Sequence, residues 1–193
     1  EHYNNYENVI FIAGGVGATP FSSILIGLLY KMKRGEDIKQ KSVTFYWIQR
    51  EYEKTDFLSN VLVQWAVVNR QGTFESNIFI SCGQQRYDFR SLFLAEGIES
   101  AKQGSKGKSI SSMCCANVYW GRPEWDSLFL NKTLKLRQKD IQTVVGVFIC
   151  GNDSLVNDIY EVCENYSSAA VKYDLNTEHF WDIIAVSYTH LAG

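Results

Sequence analysis

Residues 8–25, NVIFIAGGVGATPFSSIL, restrict the fold more than any other stretch of the chain. A run too apolar to alternate is expected of a strand covered on both faces. It leads into Gly14, Gly15 and Gly17 and then into Phe21, Ile24, Leu25, Leu28, Leu29 and Met32, whose i, i+3, i+4, i+7 spacing marks an amphipathic helix. Thr19 is read as a hydroxyl N-cap and Pro20 as the first helical residue, where the missing N–H costs nothing. The glycines strip side chains from the turn, beside the positive end of the helix and at the carboxyl end of a parallel strand. Open α/β sheets hold anionic ligands at that edge. A diphosphate is one reading of the turn. The other is a tight βα connection whose glycines only solve geometry, because Pro20 stands where the G-x-G-x-x-G fingerprint has its third glycine.

The pattern continues along the chain. Strand-like runs recur at 42–49 (SVTFYWIQ), 76–83 (SNIFISCG), 113–120 (MCCANVYW), 143–150 (TVVGVFIC) and 169–175 (AAVKYDL). Helical spacing relates Phe57, Leu58, Val61, Leu62 and Trp65, and again Leu155, Ile159, Val162, Cys163 and Tyr166. Alternating strand and helix predicts a three-layer α/β domain, a parallel sheet flanked by helices joined through right-handed crossovers. The segment EGIESAKQGSKGKSISS, 96–112, is rich in Gly, Ser and Lys and is expected to be a flexible surface insertion.

With 193 residues the chain suits one domain with a buried core. A net charge of −2 gives no footprint for nucleic acid, which requires a clustered excess of Lys and Arg. No run reaches the length needed to cross a bilayer. The five cysteines are an odd set without CxxC pairs, so reduced thiols are expected and a metal site is not.

Other strand ends add chemistry. Arg50 closes YWIQR where a dinucleotide site that prefers NAD carries Asp or Glu; an arginine there can fork onto a 2′-phosphate, or simply pair with Glu51. Cys150 and Gly151 end FICG at the same edge, the thiol being either a small hydrophobe or a functional group. In YWGRPEWD, residues 119–126, Pro123 reads as a turn into a helix with core aromatics, and Arg122 as a second phosphate clamp.

Taken in order, VIFIAGGVGATPFSSIL, FYWIQR, NIFISCG, YWGRPEWDSLF, VGVFICG and YDLNTEHF resemble the C-terminal NADPH-binding domain of the NADPH oxidase and ferric reductase family, the Rossmann-like half of a ferredoxin reductase-type module. The resemblance runs over nearly all of residues 8–180. It implies NADPH as cofactor and hydride delivery to FAD on a preceding barrel domain. Electrons then pass to heme in a transmembrane domain, making superoxide or hydrogen peroxide. It further implies a cytosolic domain of an integral membrane protein, with the barrel, the heme-bearing bundle and cytosolic regulatory subunits as partners.

Residue by residue, it implies that Gly14, Gly15, Gly17, Thr19, Pro20 and Phe21 hold the diphosphate and approach the nicotinamide, and that Arg50 reads the 2′-phosphate. Gly83, Arg122 and Pro123 would border the nucleotide, Cys150 and Gly151 would pack near nicotinamide C4, and Phe180 would cover the flavin ring. Cys82 stands where Thr is common in the family, and Asn152 where Pro commonly follows Cys-Gly. Residues 181–193 continue past the family's final aromatic and are expected to lie outside the domain, from Ser187 onward as an artefact of cloning or gene modelling. On its own the chain is expected to be half of a dehydrogenase. A ferric-chelate reductase module and a non-catalytic nucleotide sensor are the alternatives.

Overall fold

The computed structural model describes residues 2–50, 58–69, 72–81, 116–137, 144–172 and 181–185. They form a six-stranded sheet flanked by helices: β1 (Asn8–Gly14), α1 (Ala18–Lys33), β2 (Ser42–Gln49), α2 (Ser59–Val68), β3 (Phe74–Ile80), β4 (Asn117–Trp120), α3 (Trp125–Arg137), β5 (Val145–Cys150), α4 (Asp153–Lys172) and β6 (Trp181–Ala185). The strand order is β4-β3-β2-β1-β5-β6, and every neighbouring pair is parallel. The expected three-layer α/β architecture is the one observed.

Strand parity distributes the core between two faces. Val9, Phe11 and Ala13 of β1, with Phe45 and Trp47 of β2, face Phe21, Leu25 and Leu28 of α1 and Leu62 and Trp65 of α2. Ile10 and Ile12, with Val147 and Ile149 of β5, meet Phe129 of α3 and Leu155 and Ile159 of α4 on the opposite face. Full burial of side chains this large contributes about 2–3 kcal/mol each. Two donors fix the helices: Trp65 Nε1 donates to the Leu25 carbonyl at 3.1 Å, tying α2 to α1, and Lys132 Nζ donates to Thr44 Oγ1 at 2.7 Å, tying α3 to β2. Because α1 and α2 cover one face and α3 and α4 the other, the winding direction reverses between the central strands β1 and β5. A crevice opens at such a reversal, above the carboxyl ends of the strands.

Three sequence expectations need correction. Helix α1 begins at Ala18, not Pro20, because a 3-10 turn at Gly15–Gly17 feeds straight into it. Thr19 is therefore no N-cap: its hydroxyl donates back to the Val16 carbonyl at 2.8 Å, while Pro20 remains inside the first turn, where N–H groups lack intrahelical acceptors. The strand expected at 169–175 is helical as far as Lys172, since Ala169 and Ala170 favour continuing α4; residues 173–175 lie outside the described residues. The sixth strand comes instead from Trp181–Ala185, in the segment expected to lie outside the domain, and it pairs with β5 from Val145↔Trp181 to Ile149↔Ala185. The insertion expected at 96–112, residues 113–115 of the fourth strand run and residues 186–193 lie outside the described residues.

Candidate functional site

A cleft of about 580 Å³ opens where the sheet reverses, within the size range of small-molecule sites. Gly14, Gly15 and Val16 form one wall at the end of β1, Ile48, Gln49 and Arg50 continue it at the end of β2, and Ser81 follows β3. The other wall is Arg122, Pro123 and Trp125 at the start of α3, with Asn152, Ser154, Leu155 and Asp158 at the start of α4. The amino ends of α1, α3 and α4 thus converge on one opening, and each contributes about half a positive charge and several N–H groups without helical acceptors. The arrangement attracts an anion.

The glycines of the turn divide into two kinds. Gly15 adopts φ +55°, in the left-handed region, and an added Cβ there would meet nothing within 4 Å. Its backbone lies bare to the cleft. Gly17 is buried, and an added Cβ would run into the Cys150 carbonyl group, with Sγ at 3.1 Å. Gly14 and Gly151 lie back to back: a Cβ on Gly14 would stand 3.5 Å from the Gly151 Cα and 3.3 Å from Leu155 Cδ2. Three glycines accordingly let the ends of β1 and β5 close on each other, and one leaves room for a ligand. The geometric reading of the glycine turn accounts for Gly14, Gly17 and Gly151, and it does not account for the open space at Gly15.

The rim is cationic. Arg50 is exposed and Arg122 lines the opening, and neither forms an ion pair among the described residues. Arg122 is presented by a sharp turn in which Gly121 takes φ +102° and donates its N–H to the Ile80 carbonyl at 2.8 Å. Trp125 stiffens the wall behind it, 8 % exposed and edge-on to Tyr46 at 5.8 Å between ring centroids. Asn152 caps α4, its Oδ1 accepting from the Leu155 N–H at 3.1 Å. That cap is what the chain has in place of the proline common at this position.

The remaining expected residues fall as follows. Gly14, Gly15, Arg50, Arg122 and Pro123 line the cleft. Gly17 and Gly151 act through close packing. Thr19 is exposed in the first turn of α1, and Pro20 beside it is half-buried. Phe21 is 1 % exposed, its ring 5.0 Å from that of Phe11, so it belongs to the core beneath the cleft. Cys150 points to the α1 face, 1 % exposed under Gly17, and burial raises its pKa, so the thiol stays neutral. It supports the turn from behind and is not among the residues that line this cleft. Gly83, Cys82, Glu51 and Phe180 lie outside the described residues.

Sequence reasoning did not single out Gln49, Ser81, Ser154 or Asp158 as lining residues. The available signal was position: Gln49 and Ser81 lie at or just beyond the carboxyl ends of β2 and β3, and Ser154 and Asp158 lie in the first two turns of the helix that follows β5.

A parallel sheet with an anion-attracting cleft at its reversal point defines the class of dinucleotide-binding α/β domains. Residues 6–164 match the family model described as the ferric reductase NAD binding domain, and the chain belongs to that family. Among curated relatives it is 27% identical over 183 residues to a superoxide-generating NADPH oxidase heavy chain of Dictyostelium discoideum, covering 93% of this chain and 33% of that protein. It is 24% identical over 193 residues to respiratory burst oxidase homolog protein B of Arabidopsis thaliana, covering 93% of this chain and 22% of that one. Respiratory burst oxidase homolog protein D of Solanum tuberosum is similar at 26% over 195 residues, with the same coverage as the Arabidopsis protein. The chain spans between a fifth and a third of the length of these relatives.

Proposed function

We propose that this chain is the NADPH-binding module of a membrane-anchored, flavin- and heme-dependent oxidase that makes superoxide or hydrogen peroxide. The observation that carries the reading is that one wall of the cleft presents both the bare Gly15 backbone and the exposed Arg50 at the end of β2. The residues fit a phosphorylated dinucleotide. Gly15 and the first turn of α1 would hold the diphosphate. Arg50 would take the 2′-phosphate through a forked pair, and Arg122 with Pro123 would border the adenosine side. When bound, NADPH supplies the hydride. The chain's own residues bind, orient and exclude water, and no general base is required of them. FAD and heme would belong to other parts of a longer polypeptide, as would the membrane anchor, since no described helix is long and apolar enough to cross a membrane. The module would stand on the cytosolic side, next to the flavin barrel.

The decisive experiment mixes this domain with the flavin domain of the same polypeptide and follows flavin absorbance after addition of NADPH. Bleaching is expected. Tight binding without bleaching would instead favour a nucleotide sensor. A ferric-chelate reductase is the second reading, favoured by the family to which the chain belongs. Oxygen and ferric chelate, offered in turn to the full-length protein in membranes, separate the two by which one oxidises NADPH faster.

A further inference from the structure

The carbonyl of Gly15 is turned away from solvent and held. Trp47 Nε1, on a side chain with 0% exposure, donates to it at 2.9 Å, and Gln49 Nε2 stands 3.5 Å from the same oxygen. Both donors belong to β2, and alternate residues put them on the same face, next to the turn. Gly15 is the residue of the turn in the left-handed region. A glycine so placed has two low-energy orientations for its following peptide; the 3-10 hydrogen bond from the Ala18 N–H to the Gly15 oxygen favours one of them, and the donors of β2 hold the same oxygen from outside the turn. In a trans peptide C=O and N–H point in opposite directions. Holding the Gly15 oxygen against β2 therefore aims the Val16 N–H away from β2, and it keeps an oxygen lone pair from facing an incoming phosphate.

We infer that Trp47 is a positioning residue for diphosphate binding, acting through the Gly15 carbonyl, with Gln49 as its auxiliary. The inference rests on the reading of the cleft as a dinucleotide site, and it adds a buried residue with no ligand contact of its own. The two stacked aromatics of β2 then differ in kind. Phe45, whose ring centroid lies 6.3 Å from that of Trp47, only fills the core, whereas Trp47 also sets one peptide of the turn.

The test compares two ligands by calorimetry on the 193-residue chain: NADPH, and adenosine 2′,5′-bisphosphate, which keeps the 2′-phosphate but lacks the diphosphate bridge. Two replacements remove the donor. Trp47→Phe is the simple one; benzothienylalanine at position 47 preserves the shape of the indole and deletes only its N–H, and so decides the matter should Trp47→Phe fail to fold. Loss of one such buried hydrogen bond is expected to weaken NADPH about fivefold to tenfold and to leave the bisphosphate within about twofold of the parent. Equal weakening of both ligands would make Trp47 a general structural residue and overturn the proposal, as would unchanged affinity for NADPH. If the parent chain binds neither ligand, the reading of the cleft itself fails and takes the proposal with it. That result is distinct from the other two because it appears before any substitution.

Discussion

At the β1–β5 end of the cleft, backbone closes on backbone: Gly14 lies against Gly151, Gly17 sits over the Cys150 carbonyl, and the open glycine of the turn has its oxygen held from β2. At the rim, Arg50 and Arg122 extend from the ends of β2 and β4, with no ion pair among the described residues. The first region is specified by packing and cannot change without disturbing the sheet. The second is specified by charge and can change freely. A substitution in the turn is therefore expected to cost stability and binding together, and one at the rim to cost binding alone. The division lets a shared scaffold present different nucleotide preferences, because the rim can vary while the turn is fixed by the strands beneath it.

The strongest break of this contrast comes from Gly17→Ala. The added methyl would collide with backbone of β5, which cannot rotate aside as a flexible side chain can. Destabilisation of roughly 3 kcal/mol is expected, with NADPH binding lost in parallel. Urea unfolding followed by tryptophan fluorescence measures it. A variant of parental stability would show that the turn and the end of β5 are not in contact.

Arg50→Ala is the complementary case. A charge-assisted forked pair with a 2′-phosphate is worth about 2 kcal/mol, so preference for NADPH over NADH should fall roughly thirtyfold while the unfolding midpoint stays put. Discrimination that survives the substitution would take Arg50 out of its assigned role. Arg122→Ala should weaken both nucleotides alike, because the 2′-phosphate is not its assigned partner.

How much of this was legible in the chain depends on the distance over which each determinant acts. The sheet could be read from apolar runs such as NVIFIA and TVVGVFIC because a strand covered on both faces carries its own signature. The same signature hid the orientation of Cys150. Phe148 and Cys150 face α1 while Val147 and Ile149 face α4, and with both faces apolar nothing local sets the parity. The glycines marked a turn, but which of them meets a neighbour depends on β5, far along the chain. Thr19 failed as a cap because the 3-10 turn before it began the helix early. Strand β6 was missed because Ala169 and Ala170 in the preceding segment extend α4, leaving Trp181–Ala185 to complete the sheet.

A finer cut through the packed region uses Gly15→Ala. Space is not the obstacle there, since an added Cβ meets nothing within 4 Å; the cost is the left-handed φ of +55°, about 1.5 kcal/mol. The contrast with Gly17→Ala separates conformational strain from collision at two residues of one turn. Equal losses at both positions would mean that they share a single cause.

The smallest expected effect concerns Asn152, which belongs to neither region cleanly: it lines the cleft, yet its side chain is committed to α4. Its Oδ1 accepts from the Leu155 N–H, and removal in Asn152→Ala leaves that donor without its cap at a cost of about 1 kcal/mol. Asn152→Asp keeps an acceptor and adds a negative charge at the amino end of the helix, which favours α4 but opposes an anionic ligand in the cleft. If the cap is the residue's only task, the aspartate variant should match or slightly exceed the parent in thermal unfolding and weaken NADPH by about threefold, less so as salt is raised. Nucleotide affinity insensitive to the new charge would mean that the phosphates bind at the α1 wall and stay clear of α4, drawing the boundary of the ligand more narrowly than the cleft itself.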